Sequence, residues 1–151
     1  MEEEPKKKST SNWEKYESFV STLGKWAWII ILINAILTFF YGIWVLAWGG
    51  IYWWLWAGGV AYGIWLIICA ILIAILAFFI VKPRFSDKWA SKDWDFILND
   101  VLVIGNVRIP WMLIIGIIIE ILGLWWWGGL AILIPMIFLL VAGPKPYNWK
   151  K

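Results

Sequence analysis

Apolar residues along this chain come in long unbroken runs, and the runs come in pairs. The first run is WAWIIILINAILTFFYGIWVLAW (26–48) and the second covers about 57–81; the link between them, GGIYWWLWAGG (49–59), has no charge. Each run exceeds the roughly 20 residues that a helix needs to cross about 30 Å of hydrocarbon. A second pair occupies 109–142. Its arms, 109–124 and 127–142, would each be about 24 Å long at about 1.5 Å per residue. Seating them requires a thinned bilayer or a partly re-entrant hairpin; a single tilted helix is the alternative.

Charge decides between these readings. All 13 Lys and Arg fall in three places: Lys6, Lys7, Lys8, Lys15 and Lys25 before the first run, Lys82, Arg84, Lys88, Lys92 and Arg108 between the pairs, and Lys145, Lys150 and Lys151 at the end. Four crossings put every one of them on the same side, as the positive-inside rule asks, whereas three would put the last lysines outside. The pattern therefore predicts an all-α integral membrane protein, a compact bundle of four transmembrane helices made of two hairpins (26–81 and 109–143), with both termini cytoplasmic. The first apolar run is too long for a signal-peptide core and is expected to be retained as an anchor.

The polar stretches divide the rest. Residues 1–10 are expected to be a disordered charged tail. In 11–25, Trp13, Tyr16, Phe19, Val20 and Leu23 recur at helical spacing, which predicts a short amphipathic helix on the inner surface; plain extension of the first span is the other reading. Residues 82–108 form a loop whose VLVIGNVRIP (101–110) reads either as a hairpin turning at Gly105-Asn106 or as an interfacial helix. Residues 144–151 are a basic tail. The two pairs also carry a weak parallel repeat: a basic residue and Trp, an Ile-Leu step, Trp-Gly-Gly, and a closing Lys-Pro at Lys82-Pro83 and Lys145-Pro146.

The chain has 16 tryptophans. On the four-span topology Trp44, Trp48, Trp53, Trp54, Trp56, Trp125, Trp126 and Trp127 lie near the outer interface. Trp13, Trp26, Trp28, Trp89, Trp94, Trp111 and Trp149 lie near the inner one, and Trp65 alone lies deep. Indoles favour the headgroup level, where ring and N–H are both satisfied, so these residues read as interfacial anchors.

Composition narrows the function more than it names it. The chain is 63% hydrophobic and 15% charged, with mean hydropathy +0.79, too apolar for an ordinary soluble domain. It contains no histidine and one cysteine, Cys69. This removes the usual ligands of catalytic zinc, copper and haem and the usual triad base, and no phosphate-binding glycine loop is present. No enzyme activity, cofactor or metal site is expected. The net charge of +3 is small, without the basic–aromatic interleaving of a nucleic-acid binder. The expected partners are the bilayer, anionic headgroups attracted to the basic ends, and either further copies of the chain or a larger membrane complex.

Helices in lipid associate through small residues and polar contacts. Candidate packing stripes are Gly59, Gly63, Ala70, Ala74 and Ala77 in the second span, Gly116, Glu120 and Gly123 in the third, and Gly128, Ala131, Pro135 and Ala142 in the fourth. The first span offers Asn34, Thr38 and Tyr41 instead. Glu120, in IIIEILGLWWWGG (117–129), is the one carboxylate inside an apolar run. It is expected at the depth of Thr38 with no Lys or Arg in reach, which favours the neutral acid, donating a hydrogen bond to Thr38, Asn34 or a backbone carbonyl. An ionisable residue at that depth is a functional candidate. The sequence thus predicts a structural or accessory subunit acting by helix packing. A small proton-coupled transporter of lipophilic cations, with Glu120 as coupling carboxylate beside Asn34, Thr38 and Tyr41, is the alternative.

Overall fold

The computed structural model describes the backbone of residues 8–51, 59–123 and 127–150 and the side chains of 13–48, 59–123 and 127–150. Expectations for the tail at 1–7 and for Trp53, Trp54, Trp56, Trp125 and Trp126 fall outside these residues. Among the described residues the fold is helical except for one small β-hairpin, the turns and the extended C-terminal stretch at 143–150.

Helix α1 runs from Lys8 to Ile51 as a single helix of 44 residues, about 66 Å at 1.5 Å per residue. The amphipathic stretch at 11–24 is therefore not a separate helix lying on a surface; it continues straight into the first apolar run. No proline interrupts it, and one buried stripe crosses the junction at helical spacing: Trp13, Val20, Gly24, Ala27, Ile31, Asn34 and Thr38. A stripe that keeps its phase gives the chain no reason to bend.

Helix α2 (Gly59–Leu76) returns antiparallel to α1, and the Lys82-Pro83 step does not end it. The helix widens into a π-helical segment, Ala77–Ser86, with Pro83 inside, and then resumes as α3 (Asp87–Ala90). Proline lacks the N–H and crowds the carbonyl four residues back; a wider turn relieves that clash and keeps the axis running. Gly42 faces Gly63 across the pair. Side-chain carbons added to them would lie 3.1 and 3.0 Å from each other's carbonyl oxygen. Further along, Trp28 meets Phe78 at 5.6 Å between ring centroids, and its backbone N–H donates to Ser86 Oγ at 3.3 Å.

Beyond the π segment the chain builds a polar-surfaced cap on the N-terminal part of α1. Helix α3 ends on Ser91, and Lys92 takes a positive φ of 54°. The N–H groups of Lys92 and Asp93 then bond the carbonyls of Trp89 and Lys88, a left-handed helix stop of the type usually given to glycine. Asp93 starts α4 (Trp94–Asn99) by accepting a bond from Phe96 N–H. Strands β1 (Val101–Ile104) and β2 (Val107–Pro110) then pair antiparallel. Of the two expected turn residues, Gly105 alone takes a positive φ, 62°, as the first position of a type II′ hairpin turn requires.

Trp89, Trp13 and Trp94 are not spread along an interface. Trp89 is fully buried over Gly24, and Trp13 and Trp94 stand against it with centroids 6.5 and 4.9 Å away. Among the described residues four ion pairs join segments of the cap: Arg84–Asp100, Lys88–Asp93, Lys92–Glu17 and Lys145–Asp95. The C-terminal stretch straps onto the hairpin. Arg108 N–H donates to the Trp149 carbonyl at 2.8 Å, Val107 bridges to Lys150, and Tyr147 OH donates to the Arg108 carbonyl at 3.0 Å. Burial pushes the Tyr147 phenol above its ordinary pKa, partly offset by the Arg108 charge, so it stays a donor at neutral pH.

Helices α5 (Trp111–Leu122) and α6 (Leu130–Ala142) have 12 and 13 residues, only about 18–20 Å of helix. Among the described residues two helices are long and apolar enough to cross a membrane, Trp13–Trp48 and Gly59–Ala90; α5 and α6 are apolar but shorter than that. The described ends of α5 and α6 meet α1 partway along its length. Side-chain carbons added to Gly123 and Gly128 would each lie 3.0 Å from Asn34, and α1 continues for about 21 Å past Asn34 to Trp48.

Candidate functional site

The residues singled out from the sequence gather around this hairpin tip, in an arrangement that differs from the expected one. Asn34 and Thr38 have no exposed surface. Thr38 does not turn toward Glu120; its hydroxyl donates to the Asn34 carbonyl, one turn back on its own helix, at 2.8 Å. Helical threonines commonly bond this way. Tyr41 points elsewhere again and stacks on Trp44, with centroids 5.5 Å apart and planes at 24°. The polar stripe of α1 therefore supplies one residue to the tip, Asn34, and Asn34 packs on glycines.

Glu120 belongs to the hairpin itself. A side-chain carbon added to Gly129 would lie 2.6 Å from Glu120 Cγ and would overlap the Gly116 carbonyl oxygen, so α5 and α6 touch almost backbone to backbone there. The Glu120 carboxyl faces the backbone N–H of Leu130, the first residue of α6. Gly129, the cap position of α6, has no side chain to offer, although its carbonyl accepts from Ile132 and Leu133. Glu120 thus supplies an acceptor where a helix leaves its first N–H groups unsatisfied and where its dipole favours an anion. The group presented to it is a donor, not the acceptor that the sequence reading anticipated. Its Oε1 is buried and has no hydrogen-bond partner among the described residues.

The packing residues fall into two sets. Gly116 admits Leu133, whose Cδ2 would lie 2.8 Å from an added carbon, while Gly123 fits against Asn34. Pro135 is buried in α6, and Gly59 and Gly63 are buried in α2. Ala70 and Ala74 instead floor an apolar groove with Ala35, walled by Phe39 and Phe40. Trp48 is half exposed near Trp44, and Trp127 is half buried at the tip.

Sequence reasoning missed Gly42, the partner of Gly63. The signal was present: the tetrapeptide YGIW occurs at 41–44 and again at 62–65, and antiparallel pairing brings the two glycines face to face. The aromatic core of the cap was missed as well, because its tryptophans are indistinguishable by composition from interfacial ones.

Two shallow concavities among the described residues lie away from Glu120: the groove over Ala70 and Ala74, and a polar recess lined by Glu14, Glu17, Ser18, Ser21, Thr22 and Lys92. Among the described residues no group of three or more acidic or cysteine side chains is placed to hold a metal ion. Comparison with protein-family models, curated proteins and solved structures gives no match.

Proposed function

We propose that this chain is a small integral membrane protein that serves as a structural or accessory subunit, working through helix packing within a homo- or hetero-oligomeric membrane complex. In this reading α1 and the α2–π helix cross the bilayer. The α5–α6 hairpin enters from the cap side and turns back at the level of Asn34, rather than forming a third and fourth full crossing. The cap and both termini lie in the cytoplasm, with all the basic residues, as the positive-inside rule favours. The observation that carries the reading is how the deep polar groups are used: Thr38 bonds its own helix, Asn34 packs under Gly123 and Gly128, and Glu120 folds over Gly129 toward the start of α6. Such groups fasten a re-entrant hairpin, which is tolerated at membrane depth when its irregular backbone is covered by protein.

One observation favours a second reading. The unpartnered Glu120 Oε1 is what a proton- or cation-coupling carboxylate would present. Proteoliposomes with an imposed proton gradient, a pH-sensitive dye and a panel of lipophilic cations separate the two. The structural reading expects no cation-dependent dissipation from wild type and a less stable, less assembled Glu120→Gln. Cation-driven proton flux that vanishes in a folded Glu120→Gln overturns it.

A further inference from the structure

We propose that the protein is wedge-shaped across the bilayer and sorts to membranes that are convex on the side of the cap. The inference rests on the re-entrant topology above and adds a preferred substrate, a curved lipid surface.

The observation is a change in cross-section with depth. Between the cap and Asn34, the buried stripe of α1 is packed against both the α2–π helix and α6. Val20, Ala27 and Ile31 have no exposed surface, and neither do Ile73 and Ala77 opposite them nor Ile132 and Met136 on α6. Four helical sections share that level. Past Thr38 the buried positions thin out: Phe40 is 63% exposed and Trp44 53%, and across from them Trp65 is 54% exposed. The buried residues at this level are Gly42 on α1 and Gly59, Gly63 and Leu66 on α2, so among the described residues two helices continue. A helix with side chains is about 10–12 Å across, so the two extra sections add on the order of 200 Å² to the cap-side leaflet alone. The outer faces of these sections are apolar and open, with Ile121 77% and Val141 78% exposed, so the surplus area displaces lipid. A body that widens one leaflet fits best where that leaflet is already expanded, on the convex side of a bend. Membrane binding that depends on curvature through such leaflet packing is a general property of asymmetrically inserted segments.

The test uses the full chain carrying Ile121→Cys with an environment-sensitive label; the native Cys69 is buried and stays in place. The protein is reconstituted into a mixture of small and large vesicles of phosphatidylcholine with phosphatidylserine. Protease added outside reports which molecules have the cap outward. The expected result is a label quenched by probes at mid-bilayer depth, with cap-out molecules severalfold denser per lipid in small vesicles and cap-in molecules denser in large ones. A mid-depth label with equal density in both vesicle classes overturns the wedge and leaves the re-entrant hairpin standing. A label quenched only by probes in the headgroups opposite the cap overturns the re-entrant reading, and the wedge with it.

Discussion

At one end of the α1–α2 pair Trp89 lies over Gly24, with Trp13, Phe85 and Trp94 around it and ion pairs outside. At the other end Gly42 meets Gly63, with Leu46 and Leu66 packed on them while the nearby Phe40, Trp44 and Trp65 are exposed. Both ends use a glycine, for opposite reasons. On the proposed topology the first end stands in water, where burying an indole is strongly favourable, and Gly24 makes room for the largest ring available. The second end stands in lipid. Acyl chains solvate apolar side chains as well as another helix does, so close backbone approach is the main gain.

This contrast sets the order of expected effects. Trp89→Ala should be the most damaging change, costing about 3–5 kcal/mol as a fully buried aromatic deletion. Limited proteolysis between α3 and β1 should then accelerate sharply while the crossing helices stay protected. If the whole protein unfolds together, the two ends are one cooperative unit and the comparison fails. Gly63→Val should come next, at about 1–3 kcal/mol of overpacking, because its new carbon would press on Leu46 and on the Gly42 carbonyl. Steric-trapping measurements of helix separation should register it, with cap proteolysis unchanged.

Acid should loosen the cap. Asp93 is held below the ordinary carboxylate range by its hydrogen bond from Lys88 and then by the Phe96 N–H. A carboxylate whose folded pKa is depressed stabilises the fold above its unfolded pKa, and that contribution is lost as pH falls through the folded value. Hydrogen exchange in α4 should therefore speed up below the ordinary carboxylate range, and Asp93→Asn should flatten that dependence while keeping a capping oxygen. The smallest effect should come from Lys145→Ala. Its bond to Asp95 is well exposed, so its loss should cost under about 1 kcal/mol, measured as a slight shift in the urea midpoint of the cap.

The helical architecture and the two long apolar helices were legible in the sequence, because hydropathy is summed over many positions. The GxxxG stripe at Gly59 and Gly63 pointed to the right face of α2. Three features were not legible, each for a physical reason. Pro83 and the preceding Lys82 look like a helix stop, and a π-helical turn absorbs them. Trp89 looks like an anchor, and whether an indole is buried or interfacial depends on a glycine, Gly24, far away in sequence. Thr38 and Glu120 sit at similar positions in their segments, but depth alone does not fix direction: a local backbone acceptor captured the threonine, and the bare start of α6 faces the glutamate.

The long antiparallel pair also fixes an order of events during folding. Gly42 and Gly63 are near neighbours in sequence, the Trp28–Ser86 contact closes a separation of 58 residues, and the Lys92–Glu17 ion pair closes one of 75. Loop-closure entropy rises with separation, and local contacts form fastest. The pair should therefore zip from its glycine end toward Trp89, leaving the aromatic core of the cap among the last parts to consolidate.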